Sequence, residues 1–163
     1  MLCAFDETSS DAKQLVFRGL DPMSGNTWQL TTFDIEPNAP YAWDLSPDGT
    51  RIAITRIGSH HIHLLALNGS GRTEIAWSGS SGTGNWSGFD WSSDSTGIFV
   101  THQSPFGSFV TSLYFIGRDG KVHLLWNPKS YLGTYGVPSP DGKRIALHAE
   151  EVDSNLWAIE NFH

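Results

Sequence analysis

The stretch Trp43-Asp44-Leu45-Ser46-Pro47-Asp48-Gly49-Thr50-Arg51-Ile52-Ala53-Ile54 decides the fold, because the chain contains it more than once. Residues 136–147 are a close copy, Gly-Val-Pro-Ser-Pro-Asp-Gly-Lys-Arg-Ile-Ala-Leu, and residues 89–100 are a degraded one. The serine of each copy, at positions 46, 92 and 139, recurs after 46 and then after 47 residues. The chain therefore has an internal repeat of nearly constant length.

Each copy has the pattern of a β-hairpin. An apolar run ends in Pro-Asp-Gly, in which proline presets φ, aspartate bonds to nearby backbone and glycine accepts a positive φ. A second apolar run follows at once, which indicates two strands joined by a tight turn. A period of roughly 40 to 50 residues that contains several short apolar runs is typical of one blade of a β-propeller.

Alignment of the repeats predicts four strands per blade, which we name a, b, c and d. We expect strand a at 41–46, 87–92 and 134–139, strand b at 50–56, 97–103 and 143–149, strand c at 63–67, 113–116 and 156–159, and strand d at 73–77 and 122–126. The first forty residues fit strands b, c and d at 2–6, 14–18 and 26–30. The prediction is an all-β, partial propeller in one domain, 1–163, with four-stranded blades at 1–31, 41–77, 87–126 and 134–163, the first and last incomplete. A whole ring has about six to eight blades, so we expect half of a larger propeller.

Composition excludes several classes of partner. The formal net charge of −7 and the pI near 5.3 argue against nucleic acid, since phosphate binding needs clustered Lys and Arg. Cys3 is the single cysteine, so the sequence gives no sign of an oxidising compartment. No apolar run reaches the roughly 18 residues of a membrane span. We therefore expect a soluble chain, in the cytoplasm or the periplasm, with no membrane segment in this stretch.

The repeat also resembles a known family. Ser-Pro-Asp-Gly turns followed by Arg-Ile-Ala look like the WD40-like, TolB-type (PD40) β-propeller repeat. Residues 28–163 are similar to the C-terminal propeller of bacterial, notably acidobacterial, serine/threonine protein kinases and winged-helix regulators. The residues that carry this resemblance are 43–49, 136–142 and the ending Asp-Ser-Asn-Leu-Trp-Ala-Ile-Glu-Asn-Phe at 153–162. The resemblance implies a sensory or interaction module of a bacterial signalling protein.

The sequence contains none of the catalytic signatures that we sought. Kinase motifs and the Gly-x-Ser-x-Gly elbow are absent, so we predict that the chain is not an enzyme. The glycine-rich stretch 82–88 is not followed by a helix pattern, and a loop between blades fits it better than a phosphate cradle. His61 and His63 face one side of a strand, as metal ligands could. With no third ligand nearby in sequence, we favour a polar strand face and predict neither metal nor cofactor.

The candidate binding surface follows from strand alternation. The a-to-b and c-to-d turns lie at one end of every blade, so the longer b-to-c and d-to-a loops meet at the other end. Binding concentrates on variable loops that a rigid scaffold holds. We predict that a protein or small ligand of unknown identity binds there, through Tyr41, His60, Trp86, His102, Tyr131 and Tyr135. Tryptophans within strands are expected to pack between blades, namely Trp28, Trp77, Trp91, Trp126 and Trp157.

Two other functions remain open at this point. One is the accessory propeller of a prolyl-oligopeptidase-type hydrolase or a TolB-like envelope protein. The other is a self-assembling structural fragment. Incomplete blades expose a strand edge and an apolar face at each end, and these features recruit partners. The sequence therefore also predicts a homodimer.

Overall fold

The structure is a computed structural model, and it describes residues 3–77, 86–103, 111–127 and 132–150. These residues form strands and no helix. The strands are β1 (Cys3–Thr8), β2 (Gln14–Leu20), β3 (Thr27–Asp34), β4 (Tyr41–Leu45), β5 (Arg51–Arg56), β6 (His61–Ala66), β7 (Arg72–Ala76), β8 (Trp86–Trp91), β9 (Gly97–Gln103), β10 (Thr111–Gly117), β11 (Val122–Trp126), β12 (Leu132–Pro138) and β13 (Ile145–Glu150). The predicted all-β class is confirmed.

The strands form four separate antiparallel sheets, in each of which neighbours in sequence are neighbours in space. Blade 1 is β1-β2-β3, blade 2 is β4-β5-β6-β7, blade 3 is β8-β9-β10-β11, and blade 4 is β12-β13. The expected strand c of the last blade, at 156–159, lies outside the described residues. The residue boundaries that the sequence predicts for the four blades stay a prediction.

The repeated turn has one set of hydrogen bonds. Ser46 Oγ donates to Asp48 Oδ1 at 2.6 Å and accepts from Arg51 N at 3.0 Å, while Asp48 Oδ1 also accepts from Thr50 N at 3.0 Å. Gly49 has a φ of 67°. The serines at 92 and 139 make the equivalent bonds, to Asp94 and Asp141. This hydrogen-bonded turn thus joins strands a and b through local contacts.

The same hydrogen-bonded turn also occurs at Ser9, where the sequence did not predict it. Its Oγ donates to Asp11 Oδ1 at 2.7 Å and accepts from Gln14 N at 2.9 Å, and Ala12 takes the positive φ, 56°. The turn between β1 and β2 nevertheless lies beside Tyr41, and β3 ends beside Arg56 and His61. These residues mark the end of blade 2 opposite the a-to-b turn at Ser46, so β1, β2 and β3 hold positions b, c and d, the order that the sequence predicts. Among the described residues blade 1 therefore lacks strand a.

Strand alternation packs the blades face to face. In β5, Ile52 and Ile54 point to blade 1 and pack with Phe17, while Ala53 points to blade 3. The apolar cluster between blades 2 and 3 contains Trp77 and Trp91, each 3 % exposed, as expected of these two tryptophans. Trp28 differs, because it is 44 % exposed and covers Gly19 of its own sheet. Trp157 lies outside the described residues, and β12 packs on β8, β9 and β10.

Candidate functional site

The loop end of the blades is described in part. The b-to-c loop of blade 2 (57–60) and the connection from blade 1 to blade 2 (35–40) are described, whereas residues 78–85, 104–110 and 128–131 are not. Tyr131, one of the predicted binding residues, therefore lies outside the described residues. The other five are placed by the elements that carry them.

Two of the predicted residues meet at this end. His60 ends the b-to-c loop of blade 2, and His102 lies near the end of β9 in blade 3, with 6.3 Å between the ring centroids. Trp77, which directly follows β7, contacts both rings, at 5.6 Å from His60 and 5.8 Å from His102. Tyr114 of β10 completes the group, 5.4 Å from Trp77. We call His60, Trp77, His102 and Tyr114 the histidine–aromatic cluster.

Burial favours the neutral form of one imidazole of this cluster, that of His102. His102 is 2 % exposed, and this burial lowers its pKa, with a smaller contribution from the nearby His60. His60 Nδ1 is buried and has no hydrogen-bond partner among the described residues. A ring nitrogen of histidine can take part in one hydrogen bond. The cluster can therefore offer an aromatic surface and a polar atom to a ligand.

Two further predicted residues lie on neighbouring strands of blades 3 and 4. Trp86 begins β8, and its backbone is in register with His102 of β9. Two residues later, a Cβ added to Gly88 would lie 3.3 Å from Tyr135 Cβ, so β8 and β12 approach closely. The Tyr135 ring stacks on His148 with 4.9 Å between centroids. His60, His102, Trp86 and Tyr135 thus lie on adjoining strands and loops of three blades.

Tyr41 lies elsewhere, at the start of β4 between blades 1 and 2. Its hydroxyl accepts a hydrogen bond from Glu36 N at 3.1 Å, and its ring packs edge to face on Phe33. It lines an open cleft of about 620 Å³ together with Arg56 and Arg72. Tyr41 is therefore not part of the histidine–aromatic cluster.

The two histidines of β6 face the same side of the strand, as expected. His61 Nδ1 lies 2.7 Å from Glu74 Oε1, and His63 Nδ1 lies 3.4 Å from Glu74 Oε2 without the alignment of a hydrogen bond. Burial lowers the pKa of His63, and Arg72 adds to this effect. No group of three His, Cys, Asp or Glu side chains in the described part of the chain is arranged to hold a metal ion.

Sequence reasoning missed a pair of carboxylates on the inner strands. Asp44 and Asp90 both stand two residues before the turn serine of their blade, and that repeated position was the available signal. Burial raises the pKa of Asp44, whose carboxylate accepts from Trp91 N at 3.0 Å. Burial and the neighbouring Asp44 charge raise the pKa of Asp90. Trp91 also donates its ring N–H to Asp44 O, at 3.1 Å, which ties blade 2 to blade 3.

Solved structures share this architecture. Putative TolB from Agrobacterium tumefaciens matches with a TM-score of 0.62 at 20% identity, over 94% of this chain and 52% of that chain. The chain has the β-propeller fold of that structure. TolB from Acinetobacter baumannii matches with a TM-score of 0.57 at 20% identity, over 94% of this chain and 39% of that chain. A structure from a study of two prolyl endopeptidases matches with a TM-score of 0.59 at 14% identity, over 90% of this chain and 24% of that chain.

These likenesses show the fold and its extent. No protein-family model matches the sequence, and no curated protein matches it. The chain spans about half of the Agrobacterium protein, so it is a partial propeller by comparison. Within the described residues, no helix is long and apolar enough to cross a membrane.

Proposed function

We propose that this chain is a non-catalytic propeller module that binds a protein or small ligand through its b-to-c and d-to-a loops. The observation that carries the proposal is His60, a loop residue whose buried Nδ1 has no hydrogen-bond partner among the described residues. A buried polar atom without a partner costs about 1 to 3 kcal/mol, so a ligand that supplies the bond gains affinity there. Trp77 beside it provides an aromatic surface.

The biological setting is a bacterial signalling protein, in which the propeller acts as the sensory or interaction part. The sequence resemblance to kinase-linked and regulator-linked propellers supports this setting. A second candidate is the accessory propeller of a larger hydrolase or a TolB-like envelope protein. The fold likeness to a prolyl endopeptidase, of which this chain covers 24%, favours that candidate.

Self-association is part of the proposal. The β12–β13 sheet exposes Tyr135 and Val137, which are two residues apart and share a face, at 43% and 46%. The chain covers 52% of the TolB-type structure from Agrobacterium, so a second copy supplies about the remaining half of a ring. We therefore propose a two-fold homodimer in which blade 4 of one copy meets blade 1 of the other.

Ligand binding is tested by amide chemical-shift mapping with a library of small uncharged metabolites on the whole chain. We expect binders to shift the amides of His60 and Trp77, and to lose at least tenfold in affinity in the variant His60→Ala. Ser70→Ala, in the c-to-d turn at the other end, is the matched control and leaves affinity unchanged. Binders that shift only the turn end, or that bind His60→Ala equally well, would contradict the proposed surface.

A further inference from the structure

One position of the repeated stretch differs in size between blades 3 and 4. Trp91 stands directly before the turn serine of blade 3, and Pro138 stands directly before that of blade 4. Trp91 is buried and belongs to the apolar cluster that contains Ala53 and Leu64 of blade 2. Its ring N–H donates to Asp44 O at 3.1 Å. An indole thus fills space between blades 2 and 3 that the smaller proline cannot fill between blades 3 and 4.

A cavity of about 540 Å³ lies between blades 3 and 4, beside their a-to-b turns. Pro138 lines it from blade 4, and Phe99 and Phe115 line it from blade 3. The two phenylalanines are paired across β9 and β10 as Ala53 and Leu64 are paired across β5 and β6. Ala53 and Leu64 are buried, whereas the two phenylalanines stay half-buried although their side chains are larger. The space that is closed between blades 2 and 3 is therefore open between blades 3 and 4.

The two phenylalanines form an aromatic wall of the cavity. Their ring centroids are 5.2 Å apart, with an angle of 54° between the ring planes. The Phe115 ring also covers Gly97 of its own sheet, where a Cβ would collide with it. Because this ring lies against blade 3, it does not reach across to blade 4. Aromatic rings pack well on one another in tilted or edge-to-face arrangements, so a further aromatic ring suits this wall.

The rim of the cavity carries charges of both signs. Lys143 and Arg144 are exposed, and neither makes an ion pair within the described residues. Asp94 and Asp141 also line the cavity, and the hydrogen bond from the turn serine of each blade lowers the pKa of its carboxyl. Both carboxyls are therefore ionised at neutral pH. The four charges sum to zero, so a ligand with one ammonium and one carboxylate group matches the rim.

We propose that this cavity binds a free aromatic amino acid, with L-tryptophan as the preferred ligand. The indole lies against Phe99 and Phe115, as the indole of Trp91 lies against blade 2. The carboxylate of the ligand pairs with Arg144, and its ammonium group pairs with Asp94. The cavity volume falls within the range of small-ligand sites. The cavity lies at the end of the blades opposite the histidine–aromatic cluster, and its ligand is a zwitterion, so either proposal can fail alone.

Isothermal titration calorimetry on the whole chain compares L-tryptophan with two analogues. We expect saturable binding of L-tryptophan, and about tenfold weaker binding of tryptamine, which lacks the carboxylate, and of indole-3-propionate, which lacks the ammonium group. Arg144→Gln should weaken the binding of L-tryptophan about tenfold and leave that of tryptamine unchanged. Arg51→Gln is the matched control, because Arg51 holds the same position in the blade 2 repeat and does not line the cavity. It should leave both affinities unchanged.

Pro138→Trp tests whether the small residue creates the cavity, because it restores the indole that blade 3 has at this position. We expect this variant to keep the circular dichroism spectrum of the unaltered chain and to lose L-tryptophan binding. Pro138→Leu introduces the residue that blade 2 has there, Leu45, and is the matched control. It should retain saturable binding, since leucine is smaller than tryptophan.

Amide chemical-shift mapping on the unaltered protein supplies a second measurement that does not depend on the fold of a variant. L-Tryptophan should shift the amides of Thr96 and Lys143, which line the cavity, and not those of His60 and Trp77. The proposal is overturned by a lack of saturable binding, by equal affinity for L-tryptophan and tryptamine, or by equal affinity of Pro138→Trp and the unaltered chain. Shifts confined to the histidine–aromatic cluster would also overturn it.

Discussion

The turn serine of blade 2 allows a quantitative test of how the repeat stabilises the fold. Ser46→Ala removes the hydroxyl that donates to Asp48 and accepts from Arg51 N. Ser46 is 2% exposed, so water cannot replace the bond to the Arg51 amide. A buried amide left without a partner costs about 1 to 3 kcal/mol. Solvent reaches Asp48, which reduces the second loss, and we expect a total destabilisation of about 2 to 3 kcal/mol.

The chain provides a matched control in blade 4. Ser139 makes the same two bonds, at 2.6 Å to Asp141 and 3.0 Å from Arg144 N, but both are exposed to solvent. Water can replace them there, so Ser139→Ala should cost only about 0.5 to 1 kcal/mol. The pair of variants therefore separates the effect of burial from that of the hydrogen bonds themselves.

Urea unfolding followed by circular dichroism and by tryptophan fluorescence measures both variants. The midpoints can be compared if the two probes report the same transition and if the slope of the unfolding free energy against urea concentration is unchanged. If Ser46→Ala costs no more than Ser139→Ala, the buried turn does not stabilise the blade in the way argued here. The hydroxyl of Ser46 also holds the pKa of Asp48 below its usual value. That hydrogen bond adds stability that is lost as pH falls, so acid should lower the free energy of unfolding less in the variant than in the unaltered chain.

Three further predictions concern charge, packing and assembly. Because the pKa of Asp90 is raised in the folded state, its ionisation lowers stability as pH rises from the unfolded pKa to the folded pKa, and the loss is complete above the folded pKa. Asp90→Asn should therefore raise the urea midpoint at pH 7 and not at pH 3. Leu64→Ala, at 4% exposure, should cost about 2 to 5 kcal/mol in urea unfolding, whereas the same change at Leu124, which is 52% exposed, should cost under about 1 kcal/mol. Light scattering should give twice the 17.9 kDa of one chain, and Val137→Lys should return it to one chain; a single-chain mass for the unaltered protein would refute the dimer.

The parts of the fold that depend on neighbours in sequence could be predicted. The turns at Ser46, Ser92 and Ser139 form between residues at most five apart, so their pattern is visible in the sequence. The turn at Ser9 has the same spacing of serine and aspartate, with Ala12 in the place of glycine, but it joins strands b and c. The repeat did not predict this turn, because Ser9 precedes Ser46 by 37 residues and not by 46 or 47.

The candidate site depends on contacts that no local pattern records. His60 and His102 are 42 residues apart in the chain, and they meet because blades 2 and 3 pack face to face. The sequence placed both at the loop end. The sequence could not show that His102 is buried in β9 or that Trp77 contacts the rings of both histidines, since the packing between blades 2 and 3 decides these contacts.

The two faces of strands β6 and β7 show what the alternation of apolar and polar residues can predict. In β6 and β7, Ile62, Leu64 and Ile75 alternate with the polar residues His61, His63, Arg72 and Glu74. The apolar set faces blade 3 and is buried. The polar set faces blade 1 and is partly covered there, since Arg72 lies over the Phe33 ring of β3 at 5.4 Å. Leu65, on this same face, is 4% exposed and packs with the blade 1 cluster. Alternation therefore predicts which residues share a face of blade 2, whereas the neighbouring blade decides how far each residue is buried.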